Sequence, residues 1–217
     1  MTDYLADTTH LLVTGPTGAR TNYGGKSSLT AWLADNPLRE RELVIVLNVK
    51  QDDFADVLED YEEVASVDEL ADAMADGHRR VIITPQTADW ETVSANLEAF
   101  IRELPSDMTK AVILDEVPEL DEDAVLRFTR LHGNGASCKT VALAQSPTDV
   151  SGSVVKNCVP VWIGPAPGSY DAWFRAHDLG EHIDTLHAQN PYEWSVLLGP
   201  DAADRDHFEP VSEVYIV

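Results

Sequence analysis

The chain has 217 residues, and its 15 Lys and Arg set against 38 Asp and Glu give a formal net charge of −23 at pH 7. Because charged residues make up 24% of the sequence and hydrophobic residues 44%, the imbalance reflects a shortage of cations, which argues against a disordered acidic tail. The length fits a single domain covering residues 1–217, and no apolar run approaches the ~20 residues of a membrane span. The acidic composition predicts adaptation to molar salt, with an acidic mesophile protein as the alternative.

Six short β-rich runs alternate with helical patterns along the chain. Each run is apolar, and several of them end at Gly, Pro or a charged or amide residue, as expected of strands buried in a parallel sheet. The predicted strands are residues 11–14, 43–48, 81–84, 111–114, 140–144 and 159–163.

Two of the intervening segments show a clear helical stripe of apolar residues. One lies behind a potential cap at Asp89, and the other follows the acidic turn 121–123, which is favourable at a helix amino end. Past Pro191, segments 194–198 and 208–211 flank an acidic turn and predict a closing β-hairpin. The sequence therefore predicts an α/β fold with a mostly parallel central sheet flanked by helices and a C-terminal β-hairpin. The two stripes consist of Val93, Leu97, Phe100, Ile101 and Leu104, and of Ala124, Phe128 and Leu131.

The segment 15–28 joins the first predicted strand to a helical segment and is rich in glycine. In such a turn, backbone N–H groups and the helix amino end bind phosphate, a lysine adds charge, and a serine hydroxyl can hold Mg²⁺. The strict pattern G-x-x-x-x-G-K-[ST] is not met, because Arg20 stands where it needs a glycine, so an ordinary glycine-rich turn is the alternative. The predicted nucleotide-binding residues are Gly15, Pro16, Thr17, Gly18, Gly24, Gly25, Lys26, Ser27 and Ser28.

Polar residues end the fourth and fifth predicted strands. An acidic pair at the end of a buried strand is costly unless it meets a cation or a proton-transfer task, so we expect Asp115 to hold Mg²⁺ and Glu116 to activate the attacking water. Gln145 is the candidate that positions water beside a γ-phosphate. Arg127 and Arg130 are candidate arginine fingers acting across a subunit boundary, and each could equally be a solvated helix charge.

The chain has two cysteines, Cys138 and Cys158, which lie in or beside predicted strands. We expect two buried, reduced thiols, because no spacing typical of a zinc site is present.

Four motifs in a fixed order resemble the HerA/FtsK superfamily of ring-forming, DNA-pumping ATPases. The resemblance extends over residues 11–163, and its departures are a lengthened phosphate loop and Asn48, where the family usually has aspartate. In its compact size the chain is most similar to the genome-packaging ATPases of membrane-containing icosahedral viruses. The resemblance implies that the virus infects a halophilic archaeon. The motifs are Gly15-Pro16-Thr17-Gly18 with Gly25-Lys26-Ser27, Asn48-Val49-Lys50, Leu114-Asp115-Glu116, and Gln145-Ser146-Pro147.

The resemblance implies a RecA/FtsK-like P-loop core that hydrolyses ATP with Mg²⁺ to translocate double-stranded DNA into a preformed capsid. It implies that Lys26 contacts the phosphates and that Ser27 and Asp115 bind the metal. It also implies that Glu116 is the catalytic base and that Gln145 is the sensor residue. It further implies a homo-oligomeric ring, capsid or membrane vertex proteins as partners, and a place in the host cytoplasm or at the packaging vertex of the virion.

Two other functions stay open from the sequence. A nucleotide or small-molecule kinase could share the fold, although the acidic stretch 52–76 has no Arg or Lys for an acceptor phosphate. A non-hydrolytic nucleotide-binding scaffold is the other alternative, against which Lys26 and Glu116 weigh. DNA contacts would have to be few in so acidic a subunit, with Lys139 and Lys156 as candidate cations.

Overall fold

The structure is a computed structural model that describes residues 10–15, 26–50, 58–87, 89–131, 137–158, 161–164, 168–176, 180–189, 194–197 and 208–211. Of residues 27–28, 161–163, 194–197 and 208–211 it describes the backbone alone.

The described strands form one sheet in the order β3-β4-β2-β5-β6-β1-β7-β8-β9. Each neighbouring pair from β3 to β7 is parallel, whereas β8 pairs antiparallel with both β7 and β9. The predicted parallel sheet and C-terminal hairpin are thus confirmed. The strands are β1 (His10–Thr14), β2 (Leu43–Leu47), β3 (Glu62–Val64), β4 (Arg80–Ile83), β5 (Lys110–Leu114), β6 (Cys138–Ala144), β7 (Val161–Ile163), β8 (Trp194–Leu197) and β9 (Phe208–Val211).

Seven α-helices accompany the sheet within the described residues. The longest of them, α3, begins at the predicted cap, where Asp89 accepts a hydrogen bond from the backbone N–H of Thr92 at 3.2 Å. The helix α4 is capped in the same way by Asp121, which accepts from Ala124 at 2.6 Å. The helices are α1 (Lys26–Asp35), α2 (Val67–Ala75), α3 (Trp90–Glu103), α4 (Glu122–Phe128), α5 (Gly152–Asn157), α6 (Asp171–Ala176) and α7 (Ile183–His187).

Apolar side chains on the two faces of the sheet form two separate clusters. Because successive strand residues point to opposite faces, Val44 and Val46 pack with α1 while Ile45 and Leu47 pack on the other side, against the layer that contains α2 to α7. Helices therefore cover both faces, as predicted. The two cysteines are buried in the second cluster as free thiols, which confirms the prediction for them.

The element boundaries differ from the sequence prediction in two ways. The strand ends shift by up to two residues, because β4, β5 and β6 begin earlier than the apolar runs suggest, and β5 begins at the buried Lys110. The unit formed by β3 and α2 was missed. The strand β3 has three residues, of which one is buried and two are exposed. A strand this short cannot be recognised from the sequence of an acidic segment.

The topology places strands of different motifs side by side. The strand β6 lies between β1 and β5, with Thr14 opposite Ala144 and Leu114 opposite Ala142. Because these strands are parallel, their carboxyl ends meet at one edge of the sheet, where ligands of open α/β sheets bind. The candidate site is therefore expected at this carboxyl edge of the sheet.

Candidate active site

The carboxyl edge brings the polar ends of four strands together. Backbone hydrogen bonds continue past the strand ends, since the N–H of Gly15 donates to Ala144 at 3.3 Å and the N–H of Asp115 donates to Leu47 at 3.1 Å. Gly15 thus lies beside the end of β6, and Asp115 lies beside the end of β2. Four motifs that are far apart in the sequence therefore share one edge.

A charged cluster occupies the centre of this edge. The carboxylate oxygen Oε1 of Glu116 accepts hydrogen bonds from the Nζ atoms of both Lys26 and Lys50. The side chains of Lys26 and Glu116 are each 4% exposed, whereas Lys50 is 25% exposed. Charged groups tolerate such burial only when they are paired, and here two cations share a single carboxylate oxygen.

The backbone of Glu116 is unusual, because it adopts the left-handed conformation with φ 48° and ψ 58°. For a residue with a Cβ this region costs about 1–2 kcal/mol. The strand β5 ends two residues earlier, and a 3₁₀ turn, Val117–Glu119, follows directly with Pro118 in its first turn. The chain thus turns sharply at the residue that carries the buried carboxylate, as strained residues at functional sites do.

Asp115 is buried next to this cluster and is tied to β2. Its Oδ2 accepts a hydrogen bond from the backbone N–H of Lys50 at 3.4 Å. Nearby, the buried side chain of Asn48 donates to the hydroxyl of Thr84 at 3.3 Å. Asn48 stands where the resembling family has aspartate, so its amide adds a polar contact there without adding negative charge.

The ammonium group of Lys26 lies in an environment that disfavours its charge. Burial lowers the pKa of Lys26 below its usual value, and the hydrogen bond from Lys26 to Glu116 opposes that shift. Lys26 is the first residue of α1, which follows the glycine-rich segment. A buried amine of this kind gains much from any anion that enters the site.

Gln145 follows β6 directly and is partly buried. Its backbone carbonyl accepts a hydrogen bond from the hydroxyl of Tyr170 at 2.6 Å, and burial raises the pKa of that hydroxyl. Since β6 lies between β1 and β5, Gln145 sits between the phosphate-loop strand and the strand of the acidic pair.

The two candidate arginine fingers differ in their surroundings. Arg127 donates from Nε to the buried Oε2 of Glu98 at 2.9 Å and lies 3.7 Å from Asp121. Arg130 is exposed, and among the described residues its side chain has no hydrogen bond or ion pair. Arg127 is thus engaged within this chain, whereas Arg130 has no such contact among the described residues.

Several predicted residues lie outside the part of the chain that the structure describes. These are the loop residues Pro16, Thr17, Gly18, Gly24 and Gly25, and the side chains of Ser27 and Ser28.

Two residues of the site were missed by the sequence prediction. Lys50 was noted within a motif without a role, and its partner Glu116 is 66 positions away. Thr14 ends β1 with a buried hydroxyl that has no hydrogen-bond partner among the described residues. Its position one residue before Gly15 is the only signal of a site residue that the sequence offers.

The structure also corrects one prediction for DNA contacts. Lys139 is 2% exposed in β6 and so cannot present its charge to DNA from the surface, whereas Lys156 is exposed on α5. A lysine inside an otherwise apolar strand is an unusual core residue, which is why the sequence alone suggested a surface cation.

No family model matches the sequence, and no curated protein matches it. Several solved structures, in contrast, align with this chain. The genome packaging NTPase B204 of Sulfolobus turreted icosahedral virus 2, in complex with AMP, aligns with a TM-score of 0.63 at 10% identity, over 96% of this chain and 98% of that chain. VirB4 of Thermoanaerobacter pseudethanolicus aligns with a TM-score of 0.60 at 10% identity, over 90% of this chain and 88% of that chain. The chain has the α/β P-loop fold of these structures.

A third match is to a much longer chain. The cytoplasmic domain of the type VII secretion ATPase EccC of Thermomonospora curvata aligns with a TM-score of 0.58 at 13% identity, over 88% of this chain and 24% of that chain. Among the described residues no helix is long and apolar enough to cross a membrane.

The charged cluster of this P-loop fold suits a nucleotide and a divalent cation. Two lysines meet at the carboxyl edge, and a polyphosphate would offer Lys26 anionic oxygens that can replace the carboxylate of Glu116. The buried carboxylate of Asp115 is the oxygen ligand that Mg²⁺ prefers. The residues present therefore fit both groups.

Proposed function

We propose that this protein is an ATP-hydrolysing translocase of double-stranded DNA that packages a viral genome. The observation that carries the proposal is the buried cluster of Lys26, Lys50, Asp115 and Glu116 at the carboxyl edge, next to Gly15. The similarity to a viral genome packaging NTPase supports the choice of DNA as the polymer, and a ring of copies of this chain is part of the same proposal.

Three residues of the cluster, Lys26, Asp115 and Glu116, have tasks in the proposed reaction. Lys26 leaves Glu116 for the phosphates of ATP, and Glu116 accepts a proton from the attacking water as the water oxygen bonds to the γ-phosphorus and the bond to the β–γ bridging oxygen breaks. Gln145 holds that water, and Arg130 of a neighbouring copy faces the developing charge. Asp115 and Ser27 would hold Mg²⁺, which supplies neutralising charge to the phosphates when bound.

The proposal is tested by measuring phosphate release at about 1 M KCl, where screening is strong, with and without duplex DNA. We expect hydrolysis that rises on adding DNA, and a loss of at least about 100-fold in Lys26→Ala and Glu116→Gln, because the first removes the phosphate-binding charge and the second the general base. Glu119→Gln is the matched control, since Glu119 is an exposed carboxylate in the next turn.

Other outcomes would replace the proposal. Turnover that ignores DNA and responds to nucleoside monophosphates would identify a kinase. Nucleotide binding without turnover at any salt concentration would identify a scaffold. Retention of wild-type hydrolysis in Lys26→Ala would contradict the assignment of the site itself.

A further inference from the structure

The backbone of Gln145 lies beyond the hydrogen-bond ladder of β6. Pairing of β6 with β1 ends at Ala144, and its pairing with β5 ends at Ala142. On the other side of Gln145, the side chain of Ser146 accepts a hydrogen bond from the N–H of Thr148 at 3.2 Å and caps a 3₁₀ turn. The orientation of Gln145 therefore depends on contacts that it makes itself, between the strand and the turn.

Tyr170 supplies such a contact from a later part of the chain. Its hydroxyl donates to the backbone carbonyl of Gln145 at 2.6 Å, across 25 positions in the sequence. This distance lies at the short end of the range for a hydroxyl donor. A carbonyl next to a strand end is thus held by one side chain of the layer that contains α6.

The ring of Tyr170 is packed on all but a small part of its surface, which fixes the position of its hydroxyl. Tyr170 is 8% exposed, and its ring meets that of Phe174 edge to face with 6.3 Å between the centroids. Phe174, on α6, is fully buried and meets Trp173 in the same way at 5.8 Å. Such edge-to-face pairs restrict how a ring can turn. Packing around α6 therefore determines where the hydroxyl meets the end of β6.

We propose that Tyr170 is a positioning residue that acts through Gln145. By fixing the carbonyl of Gln145, its hydroxyl fixes the direction in which the amide side chain leaves the backbone, and with it the place of the water that Gln145 holds. The inference rests on the proposed function, because it concerns a residue of that reaction. Since a misplacement of about 1 Å can cost about 100-fold in rate, a single hydroxyl is enough to matter. None of the four sequence motifs contains Tyr170.

The first test compares Tyr170→Phe with Tyr61→Phe in ATP hydrolysis and in thermal unfolding. Tyr61 is the matched control, because it is 9% exposed and its hydroxyl donates to the backbone carbonyl of Ala34, on α1, at 3.0 Å. Each variant loses one hydrogen bond to a carbonyl, so both should unfold at a similarly lower temperature. Only Tyr170→Phe should lower kcat, about tenfold, with KM for ATP within about twofold of the wild type. Wild-type kcat in Tyr170→Phe, or an equal fall in both variants, overturns the proposal.

A double-mutant cycle separates positioning from folding. Gln145→Ala removes the amide but keeps the backbone carbonyl that Tyr170 contacts. In this background Tyr170→Phe should lower the unfolding temperature as before and leave kcat unchanged, because no side chain remains to be positioned. A further fall of kcat by the same factor shows that Tyr170 does not act through Gln145.

A third measurement needs no turnover. Aluminium fluoride bound with ADP imitates the phosphoryl group in the transition state, so the gain in ADP affinity on adding it reports how well the site is arranged for that state. Tyr170→Phe should reduce this gain several-fold in the wild-type background and should not change it in Gln145→Ala. A gain that Tyr170→Phe leaves unchanged, or lowers equally in both backgrounds, contradicts the inference.

The two proposals fail separately. Hydrolysis that ignores DNA, or no hydrolysis, contradicts the proposed function, while the aluminium fluoride cycle still decides the role of Tyr170. If DNA stimulates hydrolysis and Lys26→Ala and Glu116→Gln abolish it, but Tyr170→Phe behaves as the wild type, the proposed function stands and this inference is wrong.

Discussion

The ammonium groups of two buried lysines donate to different kinds of hydrogen-bond acceptor. The ammonium group of Lys110, at the start of β5, donates to the backbone carbonyls of Pro105 and Met108 at 2.7 and 2.8 Å. Those acceptors belong to the loop before β5, where the carbonyl of Pro105 also accepts from the backbone N–H of Met108 at 3.2 Å, so the contact holds this loop on the strand. Lys26 instead meets a carboxylate that phosphates can displace. The type of partner thus separates a structural lysine from one that can change its contacts.

We expect Lys110→Met to lower the free energy of unfolding by about 1–3 kcal/mol, because two carbonyls lose their buried donor. Denaturant unfolding at constant high salt measures the change. Lys156→Met removes the same charge from the exposed face of α5 and should stay within about 0.5 kcal/mol of the wild type. Equal stability of the two variants would show that the Lys110 contacts contribute nothing.

The helices α3 and α4 are joined by an ion pair between a buried carboxylate and an arginine that is 41% exposed. Glu98, on α3, is 2% exposed, and its Oε2 accepts hydrogen bonds from Arg102 at 3.2 Å and from Arg127 of α4 at 2.9 Å. Because α4 follows the acidic pair and leads towards Arg130, this contact fixes the helix from which Arg130 extends. The two arginines are three residues apart yet have separate roles.

Replacement of each arginine by alanine should separate these roles. Arg127→Ala leaves Glu98 with one cation and should cost about 1–3 kcal/mol of stability, whereas Arg130→Ala should leave the unfolding free energy within about 0.5 kcal/mol. If Arg130 acts across a subunit boundary, Arg130→Ala reduces hydrolysis at concentrations at which copies assemble. Thermal unfolding and ATPase assays across a concentration series measure both effects. Wild-type hydrolysis by Arg130→Ala would remove it from the proposed mechanism.

Periodicity and strand-end chemistry predict much of this fold, and long-range pairing explains what they miss. The run from Leu43 to Leu47 is recognisable because every residue of it is buried. The unit of β3 and α2 is not recognisable, because it has few apolar residues and many carboxylates. In the site, Glu116 stands out as a charge after an apolar strand, whereas Lys50 finds its partner only once β2 and β5 are paired.

At the scale of the whole molecule, net charge sets the conditions in which the fold is stable. The formal charge of −23 implies repulsion over the entire surface, and this repulsion weakens as the Debye length falls to about 3 Å at 1 M salt. The same screening weakens phosphate contacts to DNA. A translocase of this composition would therefore grip DNA briefly and locally.

Stability should therefore rise with salt. We expect the unfolding temperature to increase steadily from about 0.2 M to about 3 M KCl, because screening removes repulsion between surface carboxylates. Thiol labelling provides the second measurement, since burial raises the pKa of Cys138 and Cys158 to about 12, and the thiolate is the reactive form. At pH 8 both should stay unmodified at high salt and react as salt is withdrawn. An unfolding temperature that is independent of salt would contradict adaptation to it.

The short strand β3 has a consequence for how copies of the protein meet. It ends one side of the described sheet, is three residues long, and exposes Glu62 and Glu63. An open sheet edge invites another chain to add a strand, and short length with charged side chains opposes this, because pairing would strip water from the carboxylates. Molar salt screens repulsion but strengthens apolar association, so this protection matters most there. Copies that assemble would thus not join through the β3 edge of the sheet.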